Sequence, residues 1–301
     1  YDELGRPIAQ RGNNGQSIRF TYDANGNLTS ASDALGHVTR YGYDVFNRVN
    51  HITDAANGNT WVGHDLGNRI SSVLDPRGLT TQYGYDGFGL FWWVTSPDTW
   101  ESDYHFDAYG RMTSSNRNDG VMVNYTYDAL DRITSKSSST QSQTFTYDTC
   151  GNGKGHLCGV ADANGSEGFG YDLQGNLISQ RIVTHNRDYT TSYGYDVNGQ
   201  LSSIAYPSGT AVQYTRTGGD VTLVKAIING VATNVVYGVI PNAERQATLW
   251  SYGNGVVRQQ SFDTDGRLTT LKTVAGSTAL QDYGYVYDAA NRLTQRADHI
   301  E

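Results

Sequence analysis

The chain has 301 residues, 37% hydrophobic and 17% charged, with a formal net charge of −8. Glycine (35) and tyrosine (22) are abundant, so a thick two-layer core would be hard to fill, while a one-layer sheet faced with aromatic rings is easier to build. No lysine-arginine cluster exists to neutralise phosphates, which argues against a nucleic-acid partner, and no apolar run approaches the ~20 residues of a membrane span.

From the first residue, one signature recurs. It begins at Tyr1, Tyr22, Tyr43, His64, Tyr85, Phe106 and Tyr127, each 21 residues after the last. A typical copy reads Tyr22-Asp23-Ala24-Asn25-Gly26-Asn27-Leu28-Thr29-Ser30. A fixed short period means one supersecondary unit copied along the chain, each copy burying part of its neighbour. Asp23 to Gly26 is Asp-x-x-Gly, a type I turn in which Asp accepts a backbone N–H and Gly supplies the positive φ of a bulge. A second turn follows at Asp33 to Gly36, recurs at Asp75 to Gly78, and reads one residue longer at Asp54 to Gly58. The stretches between turns have strand length, so one repeat is one β-hairpin.

The strand entering each motif alternates. Aromatic residues sit two apart, as in Phe20/Tyr22, Tyr41/Tyr43, Tyr83/Tyr85 and Tyr285/Tyr287, with Thr, Gly or Val between them. That is strand periodicity, predicting rings on one face, small residues on the other, and ring ladders across neighbouring hairpins. Arginine follows the turn at Arg6, Arg48, Arg69, Arg111, Arg132, Arg267 and Arg292, where it is expected to pair with the turn Asp or lie over a neighbouring ring.

Residues 1–147 hold the regular repeats, 148–204 looser ones, 205–261 degenerate repeats or inserted hairpins, and 262–301 the terminal repeats of a single array. Within the degenerate stretch, Tyr206 to Gly209 and Ile228-Asn229-Gly230-Val231 read as hairpin turns, the second of type I′. The first irregularity carries both cysteines. A disulfide between Cys150 and Cys158 would close a small loop and contribute roughly 2–3 kcal/mol; two free thiols on facing strands are the alternative. Because the chain opens inside a motif at Tyr1, it is expected to be a segment of a longer protein.

No catalytic constellation is legible, and the chain is not expected to be an enzyme or to carry a cofactor or metal. The seven histidines are scattered, and His64 and His105 occupy or adjoin the motif tyrosine. Asp23 to Asn27 and Asp162 to Gly165 resemble fragments of calcium loops but lack the distal glutamate.

The consensus Tyr-Asp-x-x-Gly-Arg-Leu-Thr-Ser, carried by Phe106-Asp107…Gly110-Arg111, Phe262-Asp263…Gly266-Arg267 and Tyr287-Asp288…Arg292 among others, resembles the YD-repeat of the Rhs family. The resemblance implies tandem hairpins forming a long curved antiparallel sheet, part of a spiralling hollow shell. In bacterial members and the related insecticidal toxin complexes such a shell encloses a C-terminal toxin; in the teneurins a similar shell serves cell-surface adhesion. The expected function is therefore an encapsulating segment of a secreted bacterial toxin. Its partners would be the rest of its shell, an enclosed C-terminal toxin domain and a secretion apparatus. The alternative is an extracellular adhesin binding glycans or a receptor through Trp61, Phe91, Trp92, Trp93 and Trp100.

Overall fold

A computed structural model describes residues 1–300 as twenty-seven β-strands, from Ala9–Arg11 to Leu293–Asp298, with no helix among them. The chain divides into two compact units, Tyr1–Ser142 with Asp288–Arg292, and Gln143–Tyr287 with the residues from Leu293 onward. In the first unit thirteen strands pair antiparallel, each with the next in sequence. The fourteen strands of the second unit do the same. The expected all-β array of hairpins is what forms. Strands between Leu201 and Phe262, where the signature fades, keep the same consecutive pairing.

The turns explain the pairing. In Asp23 to Asn27, the Asp23 N–H donates to the Asn27 carbonyl at 2.9 Å and the Gly26 N–H to the Asp23 carbonyl at 3.1 Å. Asp23 Oδ1 accepts from the N–H groups of Asn25 and Asn27, and Gly26 takes φ +88°. The turn at Asp54 is not one residue longer than the others. Asn57 occupies the glycine position at φ +65°, and its N–H donates to the Asp54 carbonyl at 3.0 Å. Asn is the side chain that tolerates this left-handed conformation best. Asn229 and Gly230 have φ +52° and +78°, the two positive values of the predicted type I′ turn.

A second irregularity escapes the sequence pattern. The pairing register shifts immediately before the motif residue, between Thr21 and Tyr22, Gly42 and Tyr43, Gly84 and Tyr85, Thr126 and Tyr127, and onward to Val286 and Tyr287. Each shift is a β-bulge that places one extra residue in the outgoing strand, such as Thr29, Trp92 or Thr134.

No side chain among the described residues is fully buried, and Cys158, at 7% exposure, is the one buried hydrophobic residue. Burial is by half-covered side chains lying along the sheet, as the composition requires. The first unit also holds the late turn Asp288–Arg292, whose Asn291 Oδ1 accepts from Gln16 Nε2 at 2.9 Å.

Candidate functional site

The repeated feature with the densest chemistry is the fastening of one hairpin to the next. Each turn arginine grips its own aspartate with a fork: Arg48 Nε and Nη2 lie 2.7 and 2.6 Å from Asp44 Oδ2, and Arg111 repeats this on Asp107 at 2.7 Å for both nitrogens. The same guanidinium lies over the motif ring of the following repeat, Arg6 over Tyr22 at 4.6 Å, Arg69 over Tyr85 at 4.5 Å and Arg267 over Tyr287 at 4.9 Å. That tyrosine then donates its hydroxyl to a carbonyl just past the preceding motif, Tyr22 to Pro7 at 2.9 Å, Tyr127 to Met112 at 2.7 Å and Tyr287 to Leu268 at 2.9 Å, and Tyr43 and Tyr195 do the same after turns that carry Asn in place of Arg. The two expected roles of arginine are thus one arrangement. Arginine also interrupts the predicted ladders, because it occupies the space between successive rings. Direct ring contacts gather around Phe91, which meets Tyr83, Tyr85 and Tyr104 at 6.1, 5.9 and 5.5 Å.

A third link was invisible in the sequence. Where Asn or Asp replaces the turn glycine, its side chain accepts from the previous repeat: Arg48 Nη1 reaches Asn68 Oδ1 at 3.2 Å, and Arg111 Nη1 reaches Asp131 Oδ1 at 2.8 Å. Positions that look like lapses in the consensus are therefore acceptors. Arg6 shows the converse, since its Nη1 is buried without a partner and the corresponding position is Gly26, whose Cβ would lie 3.6 Å away. Gly26→Asn is expected to supply the acceptor and raise stability by about 0.5–1 kcal/mol. Gly26→Ala, with the same positive φ and no acceptor, should lower it. Thermal melts of the two variants test this, and equal effects would refute it.

These links hold the turn carboxylates ionised. The Arg48 side chain, hydrogen-bonded to Asp44, lowers its pKa to about 2. Asp128 is lowered chiefly by Arg132, and Asp23 chiefly by the Asn27 amide. A native pKa below the unfolded value of ~3.9 stabilises the fold at higher pH, and that stabilisation is lost as pH falls through the native value. The melting temperature is therefore expected to be level above pH ~5 and to fall steeply between pH ~4 and ~2. A melting temperature unchanged at pH ~2 would show that the pairs contribute nothing.

Cross-strand partners share a face. The rings of Tyr41, Tyr83 and Tyr85 share theirs with Ile52, Val94 and Phe91, whereas Gly42, Gly63 and Gly84 face His51, Ser72 and Trp93. The small residue between two aromatics is small because its partner lies over it: a Cβ on Gly84 would fall 1.7 Å from Trp93 Nε1. Trp61 pairs with His51, so it stands on the glycine face, its ring stacked on that imidazole at 3.9 Å. Phe91 is on the opposite face, paired with Tyr85. Trp92 is the bulge residue, and Trp100 heads its strand at φ +56° beside the turn. Strand Asn59–His64 is three strands from Phe91–Ser96, roughly 14 Å. The five aromatic candidates therefore do not form one patch.

Around the cysteines the five-residue turn grows to nine. The Asp148 N–H donates to the His156 carbonyl at 3.2 Å, so His156 occupies the arginine position and stacks on Tyr171 at 4.4 Å, where other repeats set a guanidinium. The Tyr171 hydroxyl donates to the Leu157 carbonyl at 2.8 Å, completing the usual fastening. Cys150 is bonded to Cys158, the bulge residue, with Cα atoms 5.5 Å apart.

Among the described residues no set of catalytic side chains is brought together. A cleft of about 540 Å³ lies between the turns at Asp162–Ser166 and Val183–Asn186. Asp162 Oδ1 there accepts the N–H groups of Asn164 and Gly165, committing it to the turn. Among the described residues no group of three or more His, Cys, Asp or Glu could hold a metal ion. Nor is any helix among them long and apolar enough to cross a membrane.

Compared with known families, residues 1–152 match the teneurin YD-shell and residues 171–211 the RHS repeat. No curated protein sequence matches the chain. Among solved structures, TcdB2-TccC3 superposes over 100% of this chain with a TM-score of 0.81 at 17% identity. TcdB2-TccC3 without its hypervariable C-terminal region gives 0.79 at 17% identity, and the Tc holotoxin pore of Photorhabdus luminescens with a TccC3 mutation 0.78 at 16%, each over 95% of this chain. At these identities the likeness is one of fold. The chain spans about a fifth of those chains, 20% of the first and 18% of the other two.

Proposed function

Because the chain belongs to the Rhs and teneurin YD-shell family, we propose that it is part of the wall of a hollow shell, enclosing a C-terminal toxin of the same bacterial polypeptide until export. The observation that carries this reading is the fastening itself. Within each unit successive hairpins are tied by backbone pairing and, in repeat after repeat, by a tyrosine hydroxyl or an arginine laid over the next motif ring, and none of these groups is arranged for chemistry on a substrate. A sheet built this way leaves few openings for a protease or for its contents. That a related TccC3 has a hypervariable C-terminal region supports a changeable cargo beyond the repeats.

A second observation supports contact with further wall. The turn tips of the first unit carry exposed apolar side chains, Val45, Phe46, Leu66, Phe88, Tyr109 and Leu130, between 70% and 110% exposed. Successive tips lie two strands apart along one edge, roughly 9.6 Å. Such a row is an unfilled contact surface, suited to another row of turns from the rest of the shell. A secretion apparatus is the further partner of an exported shell. The glycan-binding reading needs clustered aromatics, and the separation of Trp61, Phe91, Trp92, Trp93 and Trp100 removes its main support.

Limited proteolysis of the longest natural polypeptide carrying this segment, with mass spectrometry of the surviving fragments, tests the proposal. Survival of a fragment beyond the repeats, cleaved rapidly when expressed alone, is the expected result. Equal cleavage of that fragment in both settings would reject containment.

A further inference from the structure

Eight Asn-Gly dipeptides occur in the chain, beginning at Asn14, Asn25, Asn57, Asn152, Asn164, Asn198, Asn229 and Asn254. In such a pair the glycine nitrogen can attack the asparagine side-chain carbonyl. The new C–N bond closes a succinimide, the glycine proton passes through water to Nδ2, the Cγ–Nδ2 bond breaks, and ammonia leaves. Water then opens the ring at either carbonyl, leaving aspartate or its backbone-inserted isomer. The attack needs a glycine N–H that is not held by another acceptor and an amide free to turn.

The repeat turn protects most of these sites by using that N–H. Gly26, Gly153, Gly199 and Gly255 donate to the carbonyls of Asp23, Cys150, Asp196 and Tyr252 at 2.9–3.1 Å. Gly58 and Gly165 donate to the carboxylates of Asp54 and Asp162 at 2.7 and 3.1 Å. Several side chains are held as well, Asn25 by Asn47, Asn152 by the Tyr171 carbonyl, and Asn254 by the Val256 N–H. At Asn14 the Gly15 N–H takes no part in the turn bonds, and protection rests on the anchoring of Asn14 itself: Gln16 accepts the Asn14 N–H at 2.9 Å and the Gly12 N–H at 3.0 Å. The type I′ turn differs because its two central residues are the Asn and the Gly themselves. Its closing bonds belong to Ile228 and Val231, which pair directly, so the Gly230 N–H points away from the ladder. Asn229 and Gly230 are both exposed.

We infer that Asn229 is the site of spontaneous succinimide formation and deamidation in the folded chain. The product places a carboxylate on the tip of the hairpin formed by Asp220–Ile228 and Val231–Pro241, a tip otherwise lined by the exposed apolar residues Ile228 and Val231. The isomerised form adds a methylene to the backbone of a two-residue turn that has no room for one, so the outer pairs of that hairpin open.

The test is incubation of the folded protein in mildly alkaline buffer, followed by proteolytic mapping and mass spectrometry of all eight peptides, with isoaspartyl methyltransferase labelling. The Asn229 peptide should convert about tenfold faster than those containing Asn25 or Asn198, a factor equivalent to about 1.4 kcal/mol. In denaturant, where the turns are gone, the eight rates should draw together. Native conversion of Asn25, Asn198 or Asn14 at the Asn229 rate would overturn the inference. So would preservation of the Asn229 ordering in denaturant.

Discussion

Replacing Gly165 by alanine is expected to destabilise the second unit by about 2–4 kcal/mol, while the same change three residues along the strand, at Gly168, should be neutral or slightly stabilising. The strand is Gly165–Tyr171, and both glycines pair on both sides: Gly165 with Asp162 and Thr184, Gly168 with Gly159 and Arg181. Their surroundings differ. A Cβ on Gly165 would lie 2.0 Å from the Val183 carbonyl oxygen and 3.1 Å from its carbon, both backbone atoms. A side chain could swing aside, but this carbonyl can move only if strand Leu177–Thr184 shifts and the hairpin at Asn164 opens. Around Gly168 a Cβ meets nothing within 4 Å. Alanine there removes freedom from the unfolded chain at no cost in contacts. Melting curves of the two variants, with amide exchange read at Ser166 and Val183, check the pair. Similar losses for both would mean that glycine is kept here for flexibility and not for close approach.

That contrast also marks what the sequence could disclose. Turn residues were legible because the determinants of Asp23 to Asn27 lie within five consecutive positions. The facing of Tyr41 and Tyr43 was legible because strand alternation has period two. What could not be read depends on a partner about twenty residues away. Asn68 looks like a worn glycine until its Oδ1 is seen accepting from Arg48, and His156 looks scattered until the enlarged turn returns it to the arginine position. Trp92 and Trp93 read as one patch with Phe91, but the bulge before Tyr85 resets the alternation and leaves Phe91 and Trp93 on opposite faces. In a repeat array a chain displays its order in full and its lateral registry hardly at all.

Loss of the disulfide is expected to cost the second unit about 2–3 kcal/mol, because the loop it closes is an enlarged turn with no arginine fork to hold it. In the five-residue turns Asp44 or Asp107 is clamped by its own arginine. At Asp148 the arginine position holds His156, whose ring is spent on Tyr171, and four further residues must be kept in place. The bond between Cys150 and Cys158 takes over that work, joining the turn to the bulge of strand Leu157–Asp162. Gly153 is part of the same device: its N–H donates to the Cys150 carbonyl at 3.0 Å, and a Cβ there would fall 2.3 and 2.6 Å from the two sulfur atoms. Gly153→Ala is therefore expected to leave titratable thiols in the folded protein and to melt at the temperature of a Cys150→Ser, Cys158→Ser double variant. Adding a reductant should lower the melting temperature of the native chain and leave both variants unmoved. If the double variant melts with the native chain, the enlarged turn is held by its backbone hydrogen bonds alone, and the disulfide contributes nothing to the stability of the second unit.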